Sequence, residues 1–340
     1  MKNKILALLA TIGMVSSVSA VEINENISIN GFIDGSWSNS DNDSATHDDT
    51  DIGLDEVELN FIVSAGNVDG EIHIDQTDAF GDTLNIEQAH FTYSFENGLS
   101  AQIGVFGSNL GFEREDPAGL YTYSRAYDDG DIRANGFNFG NVDETVLEGF
   151  RLSYSTETIS VGVAAVNGVG VMEEQDTVAG FDEDNLDYEI TVSFNGIENL
   201  VISAGLYSVN DQEQDLDGDG ATTGLGEAAQ DITAYGISAA YTLDKLLLAA
   251  EYSNIDPDAA ATNDLSAYML LADYDVNDQL GIAIRYSEWE TGANSETDKL
   301  TIAPNYAITS SLGAILEYSS QDDNAGNDTD LLALELTYTF

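Results

Sequence analysis

The sequence predicts an all-β fold: a transmembrane antiparallel β-barrel of about 16 strands, with short periplasmic turns and long acidic extracellular loops. Three observations carry that expectation. Apolar and polar residues alternate with period two through segment after segment, many of them near the nine to eleven residues of a tilted membrane strand. The connectors between those segments alternate short and long. The chain ends on "LLALELTYTF", where Leu332, Leu334, Leu336, Tyr338 and Phe340 share one face and Ala333, Glu335, Thr337 and Thr339 the other. In water such a terminal strand would be an unpaired edge with one greasy face, an invitation to aggregate. In a closed barrel the edge is paired and the face meets lipid.

The elements follow in chain order. Residues 1–20 read as a secretory signal peptide: Lys2 and Lys4, an apolar stretch from Ile5 to Val15, and the small-residue ending Val18-Ser19-Ala20. Residues 21–340 then form one barrel. They hold no cysteine, and the best candidate for a membrane helix, "ISAAYTLDKLLLAA", is broken by Asp244 and Lys245. Loss of Lys2 and Lys4 leaves seven bases against 62 acids. That balance excludes nucleic acid as a partner, because phosphate binding is driven by Lys and Arg. The 43% hydrophobic content and its regular patterning argue for a fold in spite of the charge.

The clearest strands keep their phase over four positions. Ala89, Phe91, Tyr93 and Phe95 align, as do Ile159, Val161, Val163 and Ala165, then Tyr188, Ile190, Val192 and Phe194. Leu200 to Leu206, Leu246 to Tyr252, Tyr268 to Tyr274, Leu280 to Tyr286 and Leu312 to Tyr318 repeat the pattern. Each such face requires an apolar medium. The connectors "ENG", "TE", "NGIEN", "VND" and "TS" are short, whereas "SNSDNDSATHDDT", "VGVMEEQDTVAGFDEDN", "VNDQEQDLDGDGATTGLGEAAQ", "NIDPDAAATND" and "SQDDNAGNDTD" are long and acidic. That rhythm is the pattern of an outer-membrane barrel, turns inside and loops outside.

"LDEVELNF", "IEQAHFTY", "LSAQIGVFGSNLGFEREDPAGLYTYSRAY", "EGFRLSY" and "ISVGVAAVNG" together resemble successive elements of the OmpL-like outer-membrane β-barrel porins of Gram-negative bacteria, over roughly residues 21 to 170. The resemblance implies a passive diffusion channel for ions and small hydrophilic solutes in the outer membrane. It also implies lipid neighbours, delivery by the barrel-assembly machinery, which reads an aromatic carboxyl terminus, and a homotrimer. In sixteen-stranded porins the third long loop folds into the lumen, so the resemblance places a constriction loop at 107–144. Arg114, Arg125 and Arg133 lie in that loop with Glu113, Glu115 and Asp116, and Arg151 follows just beyond. Two roles are open for these arginines: lining the pore opposite the loop acids, or anchoring the loop through charge-assisted hydrogen bonds.

Phase alone points Arg151, Arg285 and the acids Glu58, Glu189, Glu251, Asp273, Glu317 and Glu335 into the lumen. Acidic loops and lumen together predict a modest preference for cations. Asp215, Asp217, Asp219 and Gly220 match the first half of a calcium loop, but Gly226 stands where the bidentate acid belongs and Glu227 comes one residue late. A calcium site at Asp215, Asp217, Asp219 and Glu227 and a solvated acidic loop are both open; no other cofactor is expected. His47, His73 and His90 fit no Ser-His-acid set and no His/Cys metal spacing, and they read as polar lumen or loop residues. No enzymatic activity is therefore expected. An adhesive or structural barrel with an occluded pore is the alternative to a channel, ahead of a secreted soluble β-protein.

Overall fold

The computed structural model describes residues 20–42, 49–77, 84–113, 116–127, 146–169, 186–212, 230–257, 265–291, 296–324, 326 and 328–340. The strands are β1 (Val21–Asn24), β2 (Ile27–Asn42), β3 (Asp49–Ala65), β4 (Val68–Thr77), β5 (Asn85–Ser94), β6 (Leu99–Gly107), β7 (Val146–Ser155), β8 (Ile159–Val169) and β9 (Asp187–Ile197). They continue as β10 (Leu200–Gln212), β11 (Gln230–Leu243), β12 (Leu246–Pro257), β13 (Leu265–Asp275), β14 (Leu280–Thr291), β15 (Glu296–Ala307), β16 (Leu312–Asp323) and β17 (Thr329–Thr339). From β2 onward each strand pairs antiparallel with its successor, and β17 closes the ring on β2, with Leu334 opposite Trp37. The result is a closed 16-stranded antiparallel barrel. Phe340 extends the closing seam: its N–H donates to Gly31 O at 3.0 Å and its carbonyl accepts from Gly31 N at 3.1 Å. Just past it, the short β1 takes up the same edge of β2, with Val21 opposite Ile29.

Side-chain alternation divides the wall between two media. Along β17 the outward Leu334, Leu336 and Tyr338 are 42%, 46% and 45% exposed, while the inward Ala333, Glu335 and Thr337 are buried. Phe150, Leu152 and Tyr154 on β7 and Ile190 and Val192 on β9 repeat the outward set. In a water-soluble protein this belt would forgo roughly 25 cal/mol for every Å² of apolar surface left wet; against lipid it is the solvated face. Eleven-residue strands such as β13 and β17 rise about 36 Å and, tilted near 45°, span about 25 Å, the height of a bilayer's apolar band.

The short connectors are tight hairpins. Asn199 and Asp244 take φ of 61° and 54°, the left-handed conformation that two-residue turns demand and that Asn and Asp tolerate best. At the other end the strands reach further than the loop composition suggests. Most of "SQDDNAGNDTD" is strand, leaving only 324–328 between β16 and β17, and β14 and β15 are joined by 292–295 alone. The short/long rhythm thus fades toward the carboxyl end, because polar residues above the membrane still find ladder partners there.

Among the register irregularities of the described ladder, two bulges bear on the inner wall near β3–β5. Between β2 and β3, Asp34 faces Glu56 and Gly35 faces Leu54, so Asp55 is an extra residue. Between β4 and β5, His73 faces Gln88 and Ile74 faces Ile86, leaving Glu87 extra. Each bulge turns two adjacent side chains, Asp55 with Glu56 and Glu87 with Gln88, away from the lipid-facing set.

Candidate functional site

The connector after β6 turns inward at Gly107, and its described part, 108–113 and 116–127, lies inside the barrel. Local sequence sets up that entry. Arg151 on β7 lies 4.2 Å above the Phe106 ring, and its Nη2 donates to Gly107 O at 2.8 Å and to Glu189 Oε1 on β9 at 2.9 Å. Ser108 Oγ also donates to Glu189, and Asn109 N–H donates to it at 3.2 Å. One buried carboxylate therefore collects an arginine, a hydroxyl and an amide, and fixes where the chain leaves the wall.

Across the lumen the loop is received by Arg285 of β14, which is fully buried. Its Nη1 donates to Glu113 Oε1 at 2.6 Å and Thr122 Oγ1 at 2.7 Å; its Nη2 donates to Arg125 O at 2.7 Å and Ser124 Oγ at 3.2 Å. The second Glu113 oxygen accepts the Ala126 N–H at 2.7 Å, and Arg125 Nη1 returns to Glu113 O at 2.7 Å. Glu317 on β16 accepts from Ser124 N–H at 3.0 Å and from its hydroxyl at 2.5 Å. Lys299 Nζ donates to Arg125 O at 3.2 Å, and Ser287 Oγ to Ala126 O at 2.5 Å. Tyr127 donates to Glu251 at 3.4 Å; burial and the neighbouring acid push its phenol well above the usual range, so it stays a neutral donor.

Apolar contacts seat the same segment. Leu110 and Tyr127 pack among Leu147, Val166, Tyr207, Met269 and Trp289, while Tyr121 packs among Leu247, Leu271, Ala283, Ala303 and Ile315. These inward aromatic and aliphatic residues were not among the sequence candidates. Their signal is an apolar residue on the face that phase assigns to the lumen, as at Met269 and Leu271. The turn Pro117–Gly119 bears instead on β17 and β2.

Of the lumen set, Glu58, Glu189, Glu251, Asp273, Glu317, Glu335, Arg151 and Arg285 are all buried and inward. The pairing differs from the sequence expectation. Arg151 pairs with Glu189 on the wall, and the base opposite Glu113 is Arg285, 172 residues away. Asp273 accepts from Asn305 Nδ2 at 3.2 Å, away from the loop contacts. Arg114, Glu115 and Arg133 lie outside the described residues, as do His47 and the calcium-loop candidates Asp215, Asp217, Asp219 and Glu227. His73 lies half-buried on the inner face of β4. Linear spacing shows no metal cluster, yet β3, β4 and β5 bring Glu58, His73 and Glu87 together, and Glu56, Glu58 and Asp116 form an overlapping group.

A closed sixteen-stranded barrel, apolar outside and charged within, with a long loop docked on its inner wall, defines a porin of the bacterial outer membrane. The chain belongs to the family described as "Putative beta-barrel porin-2, OmpL-like", whose model matches residues 26–340, well beyond the stretch whose motifs carry the resemblance. Solved structures share the fold at low identity. The outer membrane channel DcaP of Acinetobacter baumannii aligns with a TM-score of 0.67 and 15% identity, covering 95% of this chain and 100% of its own. An anion-selective porin from Comamonas acidovorans aligns at 0.67 and 12%, covering 92% and 99%. OmpT of Vibrio cholerae, in a trimer form, aligns at 0.60 and 14%, covering 93% and 100%. No curated protein matches the sequence.

Proposed function

We propose that this porin is a passive diffusion channel for ions and small hydrophilic solutes, with a constriction formed by the loop at 107–144 and a modest preference for cations. The observation that carries the reading is the docking of 108–127 on the inner wall, with polar anchors on β2, β9, β12, β14, β15 and β16. The inner residues Asn60, Glu71 and Gln102 of β3, β4 and β6 remain only half-buried. Charge supports the selectivity. The buried residues of the described wall and loop include ten acids against four bases. Arg151 and Arg285 are each held by a carboxylate, and Lys299 and Arg125 donate to main-chain carbonyls. Anchored bases partly cancelled by their partners leave an acidic field to attract cations.

Swelling of proteoliposomes in sugars of graded size tests the channel. Entry of small sugars with a size cut-off supports it. No swelling with correctly folded barrel would favour the occluded barrel, for which the apolar packing of Leu110, Tyr121 and Tyr127 is the supporting observation. The family resemblance and the trimer form of OmpT support a homotrimer, which native mass measurement in mild detergent would test.

A further inference from the structure

We propose that Glu58, His73 and Glu87, with Glu56 and Asp116 beside them, form a binding site in the inner wall for one divalent first-row transition cation. One ligand atom from each of Glu58, His73 and Glu87 lies within 4.8 Å of the others, and the same holds for Glu56, Glu58 and Asp116. Glu58 joins the two groups and is 1% exposed.

Glu58 points to a ligand independently of the count of acids. Neither of its oxygens has a hydrogen-bond partner of good geometry, and Asn60 Oδ1, next along the same inner face of β3, is likewise an acceptor with no donor. A buried carboxylate whose oxygens lack well-formed donors gains from a cation. His73 Nδ1 lies 3.3 Å from Glu58 Oε1 and 3.9 Å from Glu87 Oε2. Two ligands held about 2.0–2.1 Å from a tetrahedral ion stand about 3.3 Å apart. The other side of the ring is already committed: Nε2 lies 3.3 Å from Glu71 Oε2. A carboxylate accepting the hydrogen bond of one ring N–H leaves the opposite lone pair free for metal, the usual outer support of a metal-binding histidine.

The backbone builds the site through its two bulges. Asp55 and Glu87 are the extra residues in β3 and β5; the β5 bulge turns Glu87 inward where plain alternation with Ala89 and Phe91 would send it to lipid, and the β3 bulge adds Asp55 to the inward face beside Glu56. Donor chemistry sets the class of ion. One imidazole with carboxylates suits Zn²⁺, Fe²⁺, Co²⁺ or Mn²⁺ better than Mg²⁺, which prefers oxygen and keeps its waters. Asp116 comes from the loop and precedes the Pro117–Gly119 turn, so an ion here would tie the loop to the wall opposite its Arg285 anchor.

The test is equilibrium dialysis of the full-length folded protein in detergent, stripped with chelator and titrated with Zn²⁺, alongside Co²⁺ absorption spectra. The expected result is one Zn²⁺ per chain at micromolar free ion, retained in 1 mM Mg²⁺, with visible Co²⁺ bands. His73→Ala and Glu58→Gln should each weaken Zn²⁺ at least tenfold, while Glu335→Gln, which removes a buried lumen carboxylate elsewhere, should bind as the parent does. Heat-modifiable migration confirms folding of each variant, and Glu87→Gln replaces any that fails. Equal binding in the cluster variants and the parent would overturn the proposal. So would binding only at millimolar Zn²⁺ with full displacement by Mg²⁺, the behaviour of diffuse screening.

Discussion

Replacing Arg285 with Met should release the lumen loop without opening the barrel. The guanidinium is fully buried and reaches Glu113, Thr122, Ser124 and the Arg125 carbonyl, so it joins both arms of the segment 108–127. Met approximates its aliphatic stem and removes every donor, leaving Glu113 charged and buried beside an apolar side chain. Breaking one half of a buried ion pair costs about 3–5 kcal/mol, which shifts the docked-to-released ratio by about two to four orders of magnitude at 1.36 kcal/mol per decade. The ladder is untouched, because β14 keeps its registers with β13 and β15. Heat-modifiable migration should therefore persist while limited proteolysis newly cuts the loop and single-channel currents become larger and noisier. Pairing Arg285→Met with Glu113→Leu should recover part of the protection, since replacing both partners removes the stranded charge. Parental protease resistance and conductance in the single variant would refute the claim that this pair holds the loop.

Three further outcomes are expected. Leu334→Arg, on the outer face of β17, should destabilise the folded barrel by about 2–4 kcal/mol near the bilayer midplane, whereas Glu335→Gln on the inner face should be mild or stabilising, because Glu335 Oε2 is a buried acceptor without a donor; urea titrations that treat the two alike would contradict the in/out phase. Deleting Phe340 removes both seam hydrogen bonds to Gly31 and should lower the yield of folded barrel in outer-membrane fractions. If Asp215, Asp217, Asp219 and Glu227 form a calcium site, calcium should protect that loop from protease at concentrations where magnesium does not; equal protection by the two ions, or none, would leave only diffuse screening of carboxylates.

The wall was legible because lipid and lumen impose opposite chemistry on alternate residues, and from Leu312 to Phe340 almost every position obeys it. The loop's position is another matter. Its location follows from contacts such as Arg285 with Glu113 and Ser124 with Glu317, separated by 172 and 193 residues, and no local pattern encodes such distant pairs. Arg151 was placed inward correctly by phase, but its partner on β9 depends on the register of three strands. The Glu58–His73–Glu87 group left a trace that period-two reading passes over. Leu54 to Val57 and Ile86 to Ala89 are steps of three between outward residues, and each odd step marks a bulge and an added inward acid.

The most direct test of the central claim is the reversal potential of single channels in a planar bilayer under a salt gradient. The proposed function predicts discrete conducting steps and a reversal potential on the cation side, because ten buried acids face four anchored bases among the described residues. Inserted, correctly folded barrel that passes no current would contradict the channel itself. Conduction with an anion-side reversal potential would show that the bases near the loop, with Arg151 and Arg285 foremost, outweigh the acidic lumen.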